Sequence, residues 1–156
     1  MKILIKSRRA IEKLAESPLP EKTALISITD YGCDFANLQH KPDFLLQLAF
    51  DDIDGDVFVD ELGGKTTDAE RVEIEAKYHM LSDEQAKQIA EFYHSVHDKV
   101  EVVICQCEHG QSRSAAIAAA ILEYKCRKGI NVFADDRYYP NKVIFRKIFK
   151  ALKEVA

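Results

Sequence analysis

Short, almost continuous apolar runs occur at four places along the chain, residues 3–5, 24–28, 44–50 and 100–105. Runs of this length predict strands that are buried on both faces, as in a sheet covered by helices. Between and after these runs, apolar residues recur every three or four positions, which indicates amphipathic helices. Alternating strands and helices predict an α/β fold with a mainly parallel central sheet flanked by helices.

Polar side chains at the expected helix starts support this pattern. Ser7 stands where a first helix would be capped, and Ser82 is followed three residues later by Gln85, the spacing of a capping box. The helix after Ser82 is predicted to bury one stripe of apolar residues, Ala86, Ile89, Ala90, Tyr93 and Val96.

The C-terminal part of the chain contains two further predicted helices. Residues 115–122 are apolar almost all round, which marks a central, buried helix, and Gly129 gives it a fitting C-terminal signal. Pro140 or Asn141 begins the last helix. Its basic residues, Lys147 among them, are expected to form a solvated face.

Residues 51–75 are strongly acidic and lack this regularity. Thr67 and Glu70 have the spacing of a capping box, which predicts a helix. Val72 and Ile74 instead begin an alternation that is typical of a strand. Both interpretations stay open at this point, and the segment is expected to be a lid or an insertion.

The length of 156 residues suits one domain spanning residues 1–156. The hydrophobic fraction of 47% and the charged fraction of 31% are those of a soluble globular protein. A net charge of -4 offers no basic surface for nucleic acid or for an anionic membrane. We therefore expect neither of these partners.

The N-terminal residues and the cysteines bear on the compartment. The first apolar run is too short for a signal peptide, and no stretch approaches the apolar length that spans a bilayer. A chain of this size does not need disulfides to hold its core, so its four cysteines are expected to be free thiols. These features together predict a cytoplasmic protein.

The candidate chemistry lies in residues 107–114, between the fourth predicted strand and the buried helix. In such a turn, backbone N–H groups converge at the helix start and bind an anion. Gly110 permits the positive φ that a loop curled around an anion needs. Arg113 adds a planar fork that matches two phosphate oxygens. The pattern therefore predicts a phosphate site.

Cys107 opens this loop and lies in the same positive field. Helix N-termini and nearby cations favour the thiolate form of a cysteine, which is the nucleophilic form. A thiolate below a bound phosphate is aimed at phosphorus, so Cys107 is the predicted nucleophile. Ser114 is placed to donate a hydrogen bond to the thiolate or to help it leave.

The run of cysteine, five residues, arginine and serine resembles the signature of the protein tyrosine phosphatase superfamily. The small size and the surrounding pattern look most like its dual-specificity or atypical branch, with similarity from about Ala24 to Gly129. The resemblance implies hydrolysis of a phosphomonoester, on a protein or a small molecule, through a phosphocysteine intermediate and without metal or cofactor. It also implies that phosphate is bound by Glu108, His109, Gly110, Gln111, Ser112 and Arg113.

The same resemblance implies a general acid on a loop after an earlier strand. Residues 51–54 follow the third predicted strand and fit that place. Asp52 is the first candidate, Asp51 the second and Asp54 the third. The carboxylic acid would protonate the leaving group and then act as a base toward water.

Two features differ from many members of the superfamily. Gln106 stands where they often have a histidine before the nucleophile. No segment matches the phosphotyrosine-recognition loop of the larger tyrosine-specific enzymes, which argues against strict phosphotyrosine preference.

Two other functions would use the same loop. The chain could hold a phosphorylated partner without turnover, as a phosphate-binding module, or carry out redox or sulfur-transfer chemistry with the same cysteine. Against the latter, the predicted acid precedes the cysteine, whereas arsenate reductases have the cysteine near the N-terminus. The spacing of Cys105, Cys107 and His109 is not that of a zinc knuckle, so we expect no metal site and predict Cys105 to be a core residue.

Overall fold

The computed structural model of this chain describes residues 1–63 and 66–156. The strands are β1 (Lys2–Ser7), β2 (Thr23–Thr29), β3 (Phe44–Ala49) and β4 (Val102–Cys107). The helices are α1 (Arg8–Leu14), α2 (Asp56–Leu62), α3 (Asp68–Lys77), α4 (Asp83–Val96), α5 (Arg113–Cys126), α6 (Ile130–Phe133) and α7 (Lys142–Val155). The strands form one parallel sheet in the order β1-β4-β2-β3. The predicted α/β fold with a parallel sheet is therefore confirmed.

The two faces of the sheet are covered by different elements. Helices α4, α5 and α7 pack on one face and form the main hydrophobic core, in which α5 is buried from Arg113 to Ile121. On the other face, α1 and the segment around Ala36 and Leu38 cover Leu25 and Ile104. Within the described part of the chain, no helix is both long and apolar enough to cross a membrane.

Burial of the strands follows their place in the sheet. The prediction of burial on both faces is confirmed for β2, every residue of which is buried. It is wrong for β1 and β3, which are only partly buried. Both lie at an edge of the sheet, so one side of each strand has no neighbouring strand. An apolar run does not reveal the order of the strands.

The predicted helix starts at Ser7 and Ser82 are confirmed. The Ser7 Oγ accepts a hydrogen bond from the Ala10 N–H (3.1 Å). Ser82 and Gln85 form both hydrogen bonds of a capping box. The whole predicted stripe of α4 is buried, Ala86, Ile89, Ala90, Tyr93 and Val96.

The acidic segment contains two helices, α2 and α3, so the strand interpretation is wrong. The Thr67 Oγ1 accepts a hydrogen bond from the Glu70 N–H, and the Glu70 carboxylate accepts one from the Thr67 N–H. This capping box satisfies two N–H groups that a helix start leaves free. Of the alternating apolar residues, Ile74 is buried and Val72 is exposed, because α3 has one face against the rest of the protein.

An ionic cluster of Arg71, Glu75, Asp83 and Lys147 joins α3 to α4 and α7. The buried Glu75 carboxylate lies 2.7 Å from Nζ of Lys147 and 2.9 Å from Nη1 of Arg71. The Asp83 carboxylate contacts the same two cations, at 3.0 Å for Arg71 and 3.2 Å for Lys147. The prediction that Lys147 belongs to a solvated face is therefore wrong, because α3 covers that part of α7.

The end of α5 differs from the prediction. The helix ends at Cys126, and Arg127 adopts the left-handed conformation with φ 57°. Gly129 is required for another reason. A Cβ at this position would lie 2.7 Å from the carbonyl oxygen of Ala119 and 2.9 Å from the Cβ of Glu123. The chain after α5 thus passes too close to the helix for a side chain.

Candidate active site

The carboxyl ends of the strands share one edge of the sheet, because all of them run in the same direction. Asp30 follows β2, Asp51 and Asp52 follow β3, and Cys107 ends β4. Ligand sites of open parallel sheets lie outside the carboxyl ends of the strands. Residues that are far apart in the sequence therefore meet at this edge.

The loop between β4 and α5 is shorter than predicted, because the strand reaches Cys107 and the helix begins at Arg113. Gly110 has a φ of +69°, as expected for a loop curled around an anion. A Cβ at Gly110 would lie 2.7 Å from the Ser7 nitrogen and 2.8 Å from the Lys6 carbonyl carbon. The loop therefore packs tightly against the end of β1, and only glycine fits.

Cys107 is buried at 2% exposure, at the point where β4 enters the loop. Its Sγ lies 3.1 Å from the Oγ of Ser114, in the first turn of α5. This distance allows the Ser114 hydroxyl to donate a hydrogen bond to a thiolate. The predicted pairing of the two side chains is present.

Arg113 is 4% exposed, and its guanidinium is held on one side only. Nη1 donates to the carbonyl oxygen of Phe50 and pairs with Oδ1 of Asp30, both at 2.7 Å. Nε is buried and has no hydrogen-bond partner among residues 1–63 and 66–156. Buried donors are nearly always paired, so this donor is free to bind a ligand group or a water molecule.

Of the three candidate aspartates, Asp52 is the one that contacts the loop. Its Oδ1 accepts hydrogen bonds from the Ser112 Oγ (2.8 Å) and from the Asn141 Nδ2 (2.9 Å). The Asp51 Oδ1 accepts from the Tyr31 N–H instead, at 2.9 Å. The Asp54 Oδ1 accepts from the backbone N–H of Asp56, at the start of α2.

Comparisons with known proteins bear on the fold of this chain. No family model and no curated protein matches the chain. Solved structures do match. Human DUSP28 has a TM-score of 0.52 and 16% identity, over 98% of this chain and 92% of that one. Tk-PTP in its active form has a TM-score of 0.53 and 15% identity, over 100% and 94%. The chain has the dual-specificity phosphatase fold.

Two residues of the site were not predicted from the sequence, Asp30 and Asn141. The carboxylate of Asp30 pairs with the guanidinium of Arg113. Asn141 is buried, and its Nδ2 donates to Asp52 and to the Ile53 carbonyl oxygen (3.0 Å), while its Oδ1 caps α7. The helix-start signal at Asn141 could be read from the sequence, but its contact with Asp52 could not. A carboxylate directly after a buried strand is the one sequence signal that Asp30 carries.

Cys105 and Gln106, the two residues before Cys107 in β4, are buried. Gln106 stands in place of the expected histidine and is buried, with its Oε1 accepting from the Ser27 hydroxyl. Its Nε2 donates to the carbonyl oxygen of Cys107 (3.1 Å). Cys105 is fully buried, and this burial, together with Cys107 nearby, raises the pKa of the Cys105 thiol far above its usual range. Cys105 is thus a core residue, as predicted.

The other loop residues make contacts with the surrounding chain. The carbonyl oxygen of Glu108 accepts from the Arg8 N–H (3.1 Å), and that of Gln111 accepts from the Tyr139 N–H (2.8 Å). The Glu108 carboxylate also lies 3.6 Å from the Arg8 guanidinium, and the His109 side chain is exposed. Carbonyls that face the surrounding chain are expected of a loop whose N–H groups turn toward an anion.

Among residues 1–63 and 66–156, no group of three or more histidine, cysteine, aspartate or glutamate side chains is placed to hold a metal ion. All four cysteines carry free thiols.

Proposed function

We propose that this protein hydrolyses phosphomonoesters, with Cys107 as the nucleophile and a phosphocysteine as the intermediate. The observation that carries the proposal is the buried Nε–H of Arg113, which has no partner in the described part of the chain. Leaving a buried donor without a partner costs about 1–3 kcal/mol. A phosphoryl oxygen bound in the loop would satisfy this donor, and Cys107 begins the same loop.

In the first step, the Cys107 Sγ attacks phosphorus, so that a P–S bond forms while the P–O bond to the leaving group breaks. The loop N–H groups, the N-terminus of α5 and Arg113 stabilise the negative charge of the phosphoryl oxygens in the transition state. The contacts of Nη1 with Asp30 and Phe50 fix the plane of the guanidinium before substrate binds.

The leaving oxygen takes its proton from Asp52. Ser112 and Asn141 both donate to Oδ1 of this carboxyl group, so Oδ1 acts as the acceptor oxygen. The acidic proton would therefore reside on Oδ2, from which it can pass to the leaving group.

In the second step, a water molecule attacks the phosphocysteine. The Asp52 carboxylate takes a proton from this water, a P–O bond forms and the P–S bond breaks. Ser114, whose Oγ lies 3.1 Å from Sγ, donates a hydrogen bond to the departing thiolate. Inorganic phosphate and free Cys107 result.

As substrate we propose a phosphoprotein, with a small phosphorylated molecule as the alternative class. Both present the same phosphoryl oxygens to the loop, so the choice depends on groups outside it. A panel of phosphotyrosine and phosphoserine peptides, phosphoinositides, nucleotides and capped RNA ends distinguishes these substrates.

The proposed function is tested with a generic aryl phosphate and the variants Cys107→Ser and Arg113→Lys. Cys107→Ser should abolish turnover but still bind phosphate or vanadate, because the loop and Arg113 remain. Arg113→Lys should weaken both, since a point charge cannot replace the planar fork. Near-wild-type turnover by Cys107→Ser would refute the mechanism.

The wild-type protein separates the alternative functions. If it binds phosphate without turnover, it is a binding module. If it turns over thiosulfate or arsenate but no phosphate ester, it carries out sulfur or redox chemistry.

A further inference from the structure

The segment that carries Asp52 is also held through its neighbour, Asp51. The Asp51 N–H donates to the carbonyl oxygen of His79 (2.7 Å), and its Oδ1 accepts from the N–H of Tyr31 (2.9 Å). Both the backbone and the side chain of Asp51 are therefore bound.

The two residues that hold Asp51 are joined to each other. The rings of Tyr31 and His79 stack, with centroids 3.6 Å apart and an angle of 4° between the planes. His79 has a φ of +53°, in the left-handed region that non-glycine residues seldom adopt. This conformation brings the carbonyl oxygen of His79 to Asp51 while its ring lies on Tyr31.

Tyr31 also connects this arrangement to the phosphate-binding arginine. The residue before it, Asp30, pairs with Arg113. The side chain of Asp30 thus pairs with Arg113. The backbone N–H of the next residue, Tyr31, donates to Asp51. The arginine and the acid segment are therefore fixed by adjacent residues of one turn.

We propose that Asp51, Tyr31 and His79 form a latch that positions Asp52 for proton transfer. Asp51 is then a positioning residue and not the proton donor. This proposal rests on the proposed function, because the latch acts on the reaction only through Asp52. A carboxylic acid must be placed accurately to donate, and a displacement of about 1 Å can cost about 10²-fold in rate.

The test uses paired substitutions in the full chain, Asp51→Ala with Asp51→Asn and Tyr31→Ala with Tyr31→Phe. Asparagine keeps a side-chain oxygen that accepts from the Tyr31 N–H, and phenylalanine keeps a ring that stacks on His79. The kinetic constants kcat and KM are measured with phenyl phosphate, a poor leaving group, and with 4-nitrophenyl phosphate, an activated one.

Both alanine variants should lower kcat for phenyl phosphate by about tenfold or more, a loss expected of a misplaced acid. The loss should be smaller for 4-nitrophenyl phosphate, whose leaving group departs without a proton, and KM should change little. Asp51→Asn and Tyr31→Phe should recover most of the rate. If Asp51→Asn is as slow as Asp51→Ala, Asp51 donates the proton itself. If the alanine variants lose equal factors in kcat with both substrates, Asp51 and Tyr31 have a general structural role. Either result overturns the latch.

A second measurement separates the latch from the proposed function. If the wild-type protein hydrolyses neither substrate, the proposed function fails, but amide hydrogen exchange at residues 51–54 still reports on the latch. Exchange there should be faster in Tyr31→Ala than in Tyr31→Phe. Equal exchange in the two variants would overturn the latch independently of any activity.

Discussion

At the scale of single residues, Asp52 and Asp54 belong to one short segment but make different contacts. Asp52 receives hydrogen bonds from Ser112 and from Asn141, whereas the Asp54 Oδ1 accepts one from the backbone N–H of Asp56, at the start of α2. An asparagine at either position keeps an acceptor oxygen but cannot supply an acidic proton. The two substitutions therefore form a matched pair that separates proton donation from local structure.

We expect Asp52→Asn to slow turnover of a poor leaving group by about 10²–10⁴-fold, the usual contribution of general acid catalysis. The loss should shrink with an activated aryl phosphate. Asp54→Asn should keep the hydrogen bond from the Asp56 N–H and leave turnover within a few-fold of wild type. Steady-state kinetics on both substrates checks this prediction, and a greater loss in Asp54→Asn than in Asp52→Asn would contradict it.

At the scale of elements, the close packing of the loop between β4 and α5 on the end of β1 depends on Gly110. Gly110 and Gly63 have almost the same backbone conformation, with φ of +69° and +68°. A Cβ at Gly110 would overlap the backbone of Lys6 and Ser7, whereas a Cβ at Gly63 has no atom within 4 Å among the described residues. Gly63, at the end of α2, is thus a control for conformation alone.

Gly63→Ala should lower the free energy of unfolding by about 1–2 kcal/mol, the cost of the left-handed conformation for alanine. Gly110→Ala should lower it by more, because its Cβ would also overlap the backbone of Lys6 and Ser7. Gly110→Ala should in addition weaken phosphate binding and turnover, because the loop must move away from β1. Denaturant unfolding and isothermal titration with phosphate measure the two effects. Unchanged phosphate affinity in Gly110→Ala would contradict this account of the loop.

At the scale of the whole molecule, the ionic cluster of Arg71, Glu75, Asp83 and Lys147 attaches α3 to the core helices. The hydrogen bond from Arg71, and after it the contact with Lys147, lowers the pKa of Asp83 to about 2. A pKa below that of the unfolded chain means that the ionised carboxylate stabilises the fold. This contribution is complete above about pH 4, the usual pKa of an aspartate, and is lost as the pH falls toward about 2.

We expect Asp83→Asn to lower the free energy of unfolding by about 0.5–1 kcal/mol at pH 7, a modest value because solvent screens this exposed carboxylate. The difference from wild type should shrink as the pH falls from about 4 to about 2. Asp68→Asn is the matched control, since the fully exposed Asp68 carboxylate lies 3.9 Å from the same arginine. Urea unfolding at several pH values checks this, and an unchanged difference at pH 2 would contradict it.

The sequence by itself determined those features that depend on residues close together in the chain. The capping box at Ser82 needs residues three positions apart. The loop from Cys107 to Ser114 contains its own glycine and arginine, so its fold and the meeting of Sγ with Ser114 follow from local geometry. In each case, the interacting groups lie at most seven positions apart in the chain.

The tertiary structure alone decided which distant residues share the site. Asp30 reaches Arg113, and Asn141 reaches Asp52, because the order β1-β4-β2-β3 and the packing of α7 place them at one edge of the sheet. The apolar runs indicate strands, but buried strands of similar composition can pair in many orders. The same limit explains the partly buried β3. Strand order and helix docking depend on the packing of the whole core, which no short segment contains.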